Sequence, residues 1–137
     1  LETHTNWSKA VIKFLLVDDN AVNLMVAKLM LTKCFPNCSV TEVVSGQAAL
    51  DALAHQAFDM VLMDVVMPGQ NGFQATREIT RDPATRSLPV IICTSKNQET
   101  DRIWGIRQGA CDYMVKPVDQ TLLLQKITTL LSRVSKY

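Results

Sequence analysis

The stretch "VDDN", Val17 to Asn20, places two carboxylates and an amide directly after the apolar run Ile12 to Leu16. Adjacent carboxylates repel unless solvent screens them or a cation lies between them. The pair is therefore either a solvated turn or part of a metal site. Three more polar residues follow apolar runs in the same way: Asp64 after "FDMVLM", Thr94 at the end of "PVIICT" and Lys116 at the end of "CDYMVK". Three carboxylates sharing one crevice would carry about three negative charges, which calls for a divalent cation or a retained proton. A hard, all-oxygen donor set suits Mg²⁺, an ion that keeps several waters and often meets a phosphate oxygen. Thr94 and Lys116 offer the hydroxyl and ammonium that the peripheral oxygens of a phosphoryl group need. The sequence holds no glycine-rich phosphate loop, no nucleotide fingerprint and no Ser-His-Asp or Cys-His set, so a carboxylate is the best available nucleophile. Asp64 closes the middle strand and is the central candidate, with Asp18 and Asp19 as the metal-side pair.

Placing these residues together requires a particular scaffold. Five short apolar runs, "VIKFLLV", "SVTEVV", "FDMVLM", "PVIICT" and "CDYMVK", read as strands. Between and after them lie five stretches with helical spacing. The first, "AVNLMVAKLMLTKC", is capped by Asn20 and sets Val22, Val26, Leu29 and Met30 on one face. The second, "GQAALDALAHQ", is capped by Ser45 and turns Ala49, Leu50 and Leu53 inward, and the third, "GFQATREITRD", stops at Pro83. The fourth, "QETDRIWGIRQGA", turns Ile103 and Ile106 inward and closes at Gly109. The last runs from Asp119, its cap, to about Val134, with Leu123, Ile127, Leu130, Leu131 and Val134 on one stripe.

Strands apolar on both faces, alternating with helices, predict a doubly wound α/β fold whose parallel sheet is covered on both sides by right-handed crossovers. Such sheets bind ligands beyond the carboxyl ends of their strands, where the strand order reverses. All five polar groups fall at that edge. A lone Asp-Asp pair is more often a solvated turn, Thr94 alone reads as a strand-end hydroxyl, and Lys116 alone as a surface lysine. Their convergence favours a site.

A chain of 137 residues with 47% hydrophobic content suits one domain. Fourteen basic and thirteen acidic residues leave a formal charge of +1, so the balance predicts no nucleic-acid or membrane surface. No apolar run approaches the roughly 18 residues of a spanning helix, and the N-terminus lacks a signal-peptide pattern, which predicts a cytoplasmic protein. Residues 1 to 10, "LETHTNWSKA", read as a tail or linker remnant, and a chain beginning at Leu1 reads as trimmed, tagged or cut from something longer. Cys93 and Cys111 lie inside apolar stretches and read as small core residues. Cys34, Cys38, His4 and His55 lack the partners of a zinc site. Met60, Met63 and Met67 read as core filler, and Pro68 fixes the turn after Asp64, with Gly69 and Gly72 as loop and helix-start residues.

The motifs "LLVDDN", "VLMDVVMPGQNG", "PVIICTS" and "GACDYMVKP" resemble the receiver domain of two-component response regulators, over about residues 12 to 131. "VDDNAVNLMVAKLML" looks like receivers attached to hybrid histidine kinases. "MPGQNGFQATREITRD" and "NQETDRIWGIRQGACDYMVKPVD" look like the stand-alone PilH-type regulators of twitching motility, and this longer match is favoured for pathway. The resemblance implies a CheY-like, flavodoxin-like fold with strand order 2-1-3-4-5, in a domain spanning residues 11 to 137.

The same resemblance makes Asp64 the phosphoryl acceptor, Asp19 a direct Mg²⁺ ligand and Asp18 the holder of metal-bound water. The backbone carbonyl of Val66 is the other implied protein ligand. Thr94 and Lys116 hold the phosphoryl oxygens, the Lys116 to Pro117 peptide is cis, and Tyr113 is an aromatic switch that moves inward as Thr94 shifts. From the residues alone, a plain core aromatic is the lesser alternative for Tyr113, and Trp104 reads as a partner contact or a packing residue. The implied donor is a histidine kinase or phosphotransfer domain, and the implied output is a downstream protein bound through the face of helix four, strand five and helix five. The implied state is a monomer or weak dimer.

Two other functions compete with a signalling phosphoacceptor. Magnesium-dependent phosphatases and phosphotransferases that use an aspartyl-phosphate usually carry a second Asp two residues after the nucleophile, where this chain has Val66, and a larger cap domain. A receiver-like protein that is never phosphorylated would not need the intact set of acids, Thr94 and Lys116.

Overall fold

The structure is a computed structural model that describes residues 11–66 and 71–133 of the chain. The tail at residues 1 to 10, Met67, Pro68, Gly69 and Val134 lie outside the described residues. Five strands, β1 (Ile12–Val17), β2 (Cys38–Val43), β3 (Met60–Met63), β4 (Val90–Thr94) and β5 (Asp112–Val115), form one parallel sheet in the order β2-β1-β3-β4-β5. Five helices connect and follow them: α1 (Ala21–Cys34), α2 (Gly46–His55), α3 (Gly72–Arg81), α4 (Glu99–Arg107) and α5 (Gln120–Ser132). The doubly wound architecture read from the sequence is the observed one.

The three central strands are apolar on both faces because both faces are covered. On one side Ile12, Phe14, Leu16, Leu62 and Ile91 pack against Leu24 and Leu31 of α1 and Leu123, Ile127 and Leu131 of α5. On the other, Leu15, Val17, Val61, Met63 and Val90 pack against Ala49 of α2 and Ala75 and Ile79 of α3. A smaller cluster of Val65, Ile92, Ala110 and Tyr113, with Phe73 against it, lies toward the β5 side.

The helix starts are set by local chemistry. The side chains of Asn20, Ser45 and Asp119 accept hydrogen bonds from the amides of Asn23, Ala48 and Leu122, each satisfying one donor left free in a first turn. Asn71 and Gln74 form a reciprocal capping box at the start of α3. Gly109, at φ +103°, supplies the left-handed residue that ends α4.

Three packing expectations are overturned. In α1 the buried residues are Leu24 and Leu31, while Val22, Val26 and Leu29 are exposed and Met30 is half-buried. The helix is apolar on opposite sides, so periodicity alone does not say which stripe meets the sheet. In α4 the isoleucines Ile103 and Ile106 are exposed and Gly105 is the buried residue. Cys111 is exposed rather than core, because it precedes β5 at the end of the sheet remote from the strand tips.

Candidate functional site

The chain leaves β1 for the edge strand β2 and then crosses back to β3, so the carboxyl ends of β1 and β3 stand side by side where the strand order reverses. The ladder fixes the register there: Val17 lies opposite Met63, and the amide of Asp64 donates to the carbonyl of Val17 at 2.8 Å. Asp18 is held the same way, its amide donating to Val43 at 3.1 Å. Each acid is thus the first residue beyond its strand and leans over the same crevice.

The carboxylates of Asp18, Asp19 and Asp64 present oxygens within 4.8 Å of one another. Asp18 and Asp64 are only 6% and 7% exposed, whereas Asp19 faces solvent. Partial relief comes from the residue after β5. Lys116 reaches across the strand ends, its ammonium ion-paired to Oδ2 of Asp18 and 3.5 Å from Oδ2 of Asp64. The amides of Asn20 and Val66 donate to Oδ1 of Asp18 (2.9 Å) and Oδ1 of Asp64 (3.2 Å). One ammonium against three carboxylates leaves a local surplus of negative charge on hard oxygen donors, which is the donor chemistry that fits Mg²⁺.

Thr94 is fully buried at the tip of β4, and its hydroxyl accepts from the amide of Lys96 at 3.4 Å. Tyr113 lies inward, 7% exposed, and its hydroxyl donates to the carbonyl of Lys96 at 3.0 Å. Thr94 and Tyr113 are therefore joined through one residue. Burial raises the Tyr113 hydroxyl above its usual range, with the charges of Asp101 and Asp64 adding to the effect. The peptide between Lys116 and Pro117 is cis, as the resemblance implies.

Beneath the acids, an apolar cavity of about 250 Å³ opens between α1 and the segment after β5, bordered by Asp64, Lys116, Val26 and Cys93. Burial pushes the Cys93 thiol up to about 12; Lys116 opposes that shift, while Asp64, Asp18 and Asp112 reinforce it. Cys93 therefore stays a neutral thiol near the ion pair, not a thiolate ligand.

The structure brings Asp18, Asp19, Asp64 and Lys116 into one cluster, with Thr94 and Tyr113 linked beside it through Lys96. Two contributors were not legible. A Cβ on Gly72 would collide with the carbonyl oxygen of Asp64, so only glycine lets α3 start against the backbone of the central acid. In the sequence, Gly72 reads simply as a helix start. The role of Lys96 is carried by its backbone, which no side-chain pattern reveals.

The sequence profile of the response regulator receiver domain matches residues 14–128. Protein PilH of Pseudomonas aeruginosa is 45% identical over 120 residues, an alignment covering 88% of this chain and 98% of PilH. Response regulator PleD of Caulobacter vibrioides is 35% identical over 86% of this chain, which spans only 26% of PleD. Among solved structures, the receiver domain of a sensor histidine kinase from Pseudomonas aeruginosa, with magnesium ion coordinated in its active site cleft, superposes with a TM-score of 0.81. It is 32% identical, and the match covers 90% of this chain and 99% of that domain.

Proposed function

Because this chain belongs to the response regulator receiver domain family, we propose that Asp64 accepts a phosphoryl group from a phosphohistidine and that the modification switches binding of a downstream protein. The observation that carries this reading is the position of Asp64. It is a buried carboxylate at the tip of the central strand, with an ammonium 3.5 Å away and two further carboxylates within 4.8 Å.

The reaction is an in-line displacement at phosphorus. A carboxylate oxygen of Asp64 forms the new P–O bond, the P–N bond to the donor imidazole breaks, and its electron pair stays on the ring nitrogen. The loose transition state needs alignment and neutralisation of charge more than covalent assistance. Lys116 already stands beside the acceptor carboxylate and would follow a peripheral phosphoryl oxygen, with the Thr94 hydroxyl binding another. Asp19, Asp64 and the Val66 carbonyl would hold Mg²⁺ directly, and Asp18 through water. That ion, when bound, supplies further neutralisation of oxygen charge.

Switching would use the Thr94–Lys96–Tyr113 linkage. When Thr94 moves toward a phosphoryl oxygen, the segment carrying Lys96 moves with it and takes along the acceptor of the Tyr113 hydroxyl. Such contacts form only in one of two arrangements, so phosphorylation biases a pre-existing equilibrium. The readout is the face of α4, β5 and α5, which exposes Ile103, Trp104, Val115 and Leu122.

For pathway, the favoured reading is a PilH-type twitching-motility regulator, supported by the near-complete overlap with PilH. A receiver from within a hybrid histidine kinase is the second reading, supported by the sensor-kinase receiver of similar structure. The partners are a histidine kinase or phosphotransfer domain and a protein target, in the cytoplasm, with the domain a monomer or weak dimer.

Incubation with Mg²⁺ and acetyl phosphate, followed by a phosphate-affinity gel, tests the reading. A retarded band is expected for the wild type and none for Asp64→Asn. Steady release of phosphate from varied substrates would favour a phosphatase, and no retarded band with acetyl phosphate or a cognate kinase would favour a domain that is never phosphorylated.

A further inference from the structure

Gly105 lies in the interior of α4, where glycine is the poorest helix former after proline. Its backbone does not explain its presence, since among the described residues only Gly109 has a glycine φ in the left-handed region. Space does. A Cβ at position 105 would lie 2.8 Å from Cδ1 of Ile92 and 3.1 and 3.2 Å from Cδ2 and Cε2 of Tyr113. The Ile92 methyl is the free end of a flexible side chain and can swing away. The Tyr113 ring cannot move as easily, because its hydroxyl is tied to the carbonyl of Lys96 and its faces lie among Val65, Ile92 and Ala110.

Few of the side chains of α4 share in that packing. Ile103, Trp104 and Ile106 are exposed, and Gly105 is the buried residue of the helix. The helix therefore rests on the sheet through bare backbone, and the surface beneath that backbone includes the inward ring. An outward ring would leave an empty slot under Gly105, and lost packing contacts of that kind are costly. Ring position and helix seating are in this way two aspects of one equilibrium.

We propose that Gly105 is a positioning residue for the aromatic switch, making the room in which the inward Tyr113 ring and a seated α4 coexist. The inference rests on the reading of Tyr113 as that switch. It adds that the size of residue 105 sets the resting balance between inward and outward rings before any phosphoryl group arrives.

The test labels the chain with 3-fluorotyrosine on a Tyr137→Phe background, leaving one fluorine reporter at Tyr113. Fluorine NMR then reads ring burial from the solvent isotope effect on the resonance, in the unmodified protein. A buried resonance is expected for Gly105, with a solvent-exposed population that grows at least threefold in Gly105→Ala and further in Gly105→Val. An unchanged buried resonance in Gly105→Ala overturns the proposal. Thermal unfolding supplies a second measurement that survives if Gly105→Val does not fold. Gly105→Ala should lower or leave unchanged the midpoint when Tyr113 is present, and raise it in Tyr113→Val, where the ring is gone and helix propensity alone remains. If Ile92→Val produces that change of sign and Tyr113→Val does not, the contact that matters is with Ile92 and the proposal fails. Beryllofluoride with Mg²⁺, added to the wild type, separately tests the phosphoacceptor reading. Absence of any response there would leave the Gly105 effect on the resting ring standing.

Discussion

The ammonium of Lys116 is ion-paired to Asp18 while lying 3.5 Å from Oδ2 of Asp64, so one cation just beyond β5 ties together the acids that follow β1 and β3. Both acids are nearly buried and neither has a second cation in contact among the described residues. Removing the lysine would leave two desolvated carboxylates facing each other, the situation that makes broken buried pairs costly. Lys116→Met is expected to lower stability by about 1–3 kcal/mol, with the lower end favoured by the solvent that still reaches the pair. Chemical denaturation at low ionic strength measures this. Millimolar Mg²⁺ is expected to restore part of the loss by binding the folded site preferentially. A variant as stable as the wild type without Mg²⁺ would mean that the carboxylates do not depend on Lys116.

Val66 bears on how long a phosphoryl group would last. Its amide donates to Oδ1 of Asp64, and the residue is 49% exposed beside the acceptor, where an amide side chain would be able to position an attacking water. An isopropyl group at that place offers water no hydrogen bond. Val66→Asn is expected to shorten the lifetime of phospho-Asp64 several-fold, corresponding to about 1 kcal/mol in the barrier. Following the loss of label from the purified phosphoprotein measures it, and an equal or longer lifetime would mean that Val66 does not limit access of water.

The strands and the site were legible because both depend on short-range pattern. Apolar runs ending in Asp18, Asp64, Thr94 and Lys116 need only a parallel sheet to converge, and the caps Asn20, Ser45 and Asp119 act within three residues of themselves. Helix rotation was less legible, since it depends on which of two apolar stripes the sheet selects. In α1, Val22, Val26 and Leu29 form as good a stripe as Leu24 and Leu31, and only packing decides between them. In α4 the buried position belongs to a glycine because a ring from β5 occupies the space of its side chain, a long-range fact absent from the helix's own sequence.

That choice of stripe in α1 has measurable consequences. Leu31 is 1% exposed within the core, while Leu29, two residues earlier, is largely in solvent. Leu31→Ala is expected to cost roughly 2–5 kcal/mol through lost burial and the cavity left behind. Leu29→Ala should stay within about 0.5 kcal/mol of the wild type, as surface substitutions do. Paired urea titrations decide it, and the reverse order of cost would return the helix to the orientation read from its sequence.

Cys93 sets the behaviour of the fold in alkali. Burial raises its thiol from 9.0 to about 12, so the folded chain keeps the proton over a range in which an unfolded chain releases it. Its contribution to stability is therefore fully present below pH 9.0 and is lost as pH rises toward about 12. The shifts at Cys38 and Tyr113 have the same sign and add to the loss. Within that window the wild type is expected to lose up to about 1.4 kcal/mol per pH unit more than Cys93→Ala. Denaturation curves at stepped pH measure the difference in slope. The same physics orders the thiols in labelling, because the thiolate is the nucleophile: at pH 8, iodoacetamide should modify exposed Cys111 well before Cys93. Equal slopes for the two proteins, or early alkylation of Cys93, would show that water reaches the sulfur beside Lys116 freely and that the floor of the site is open.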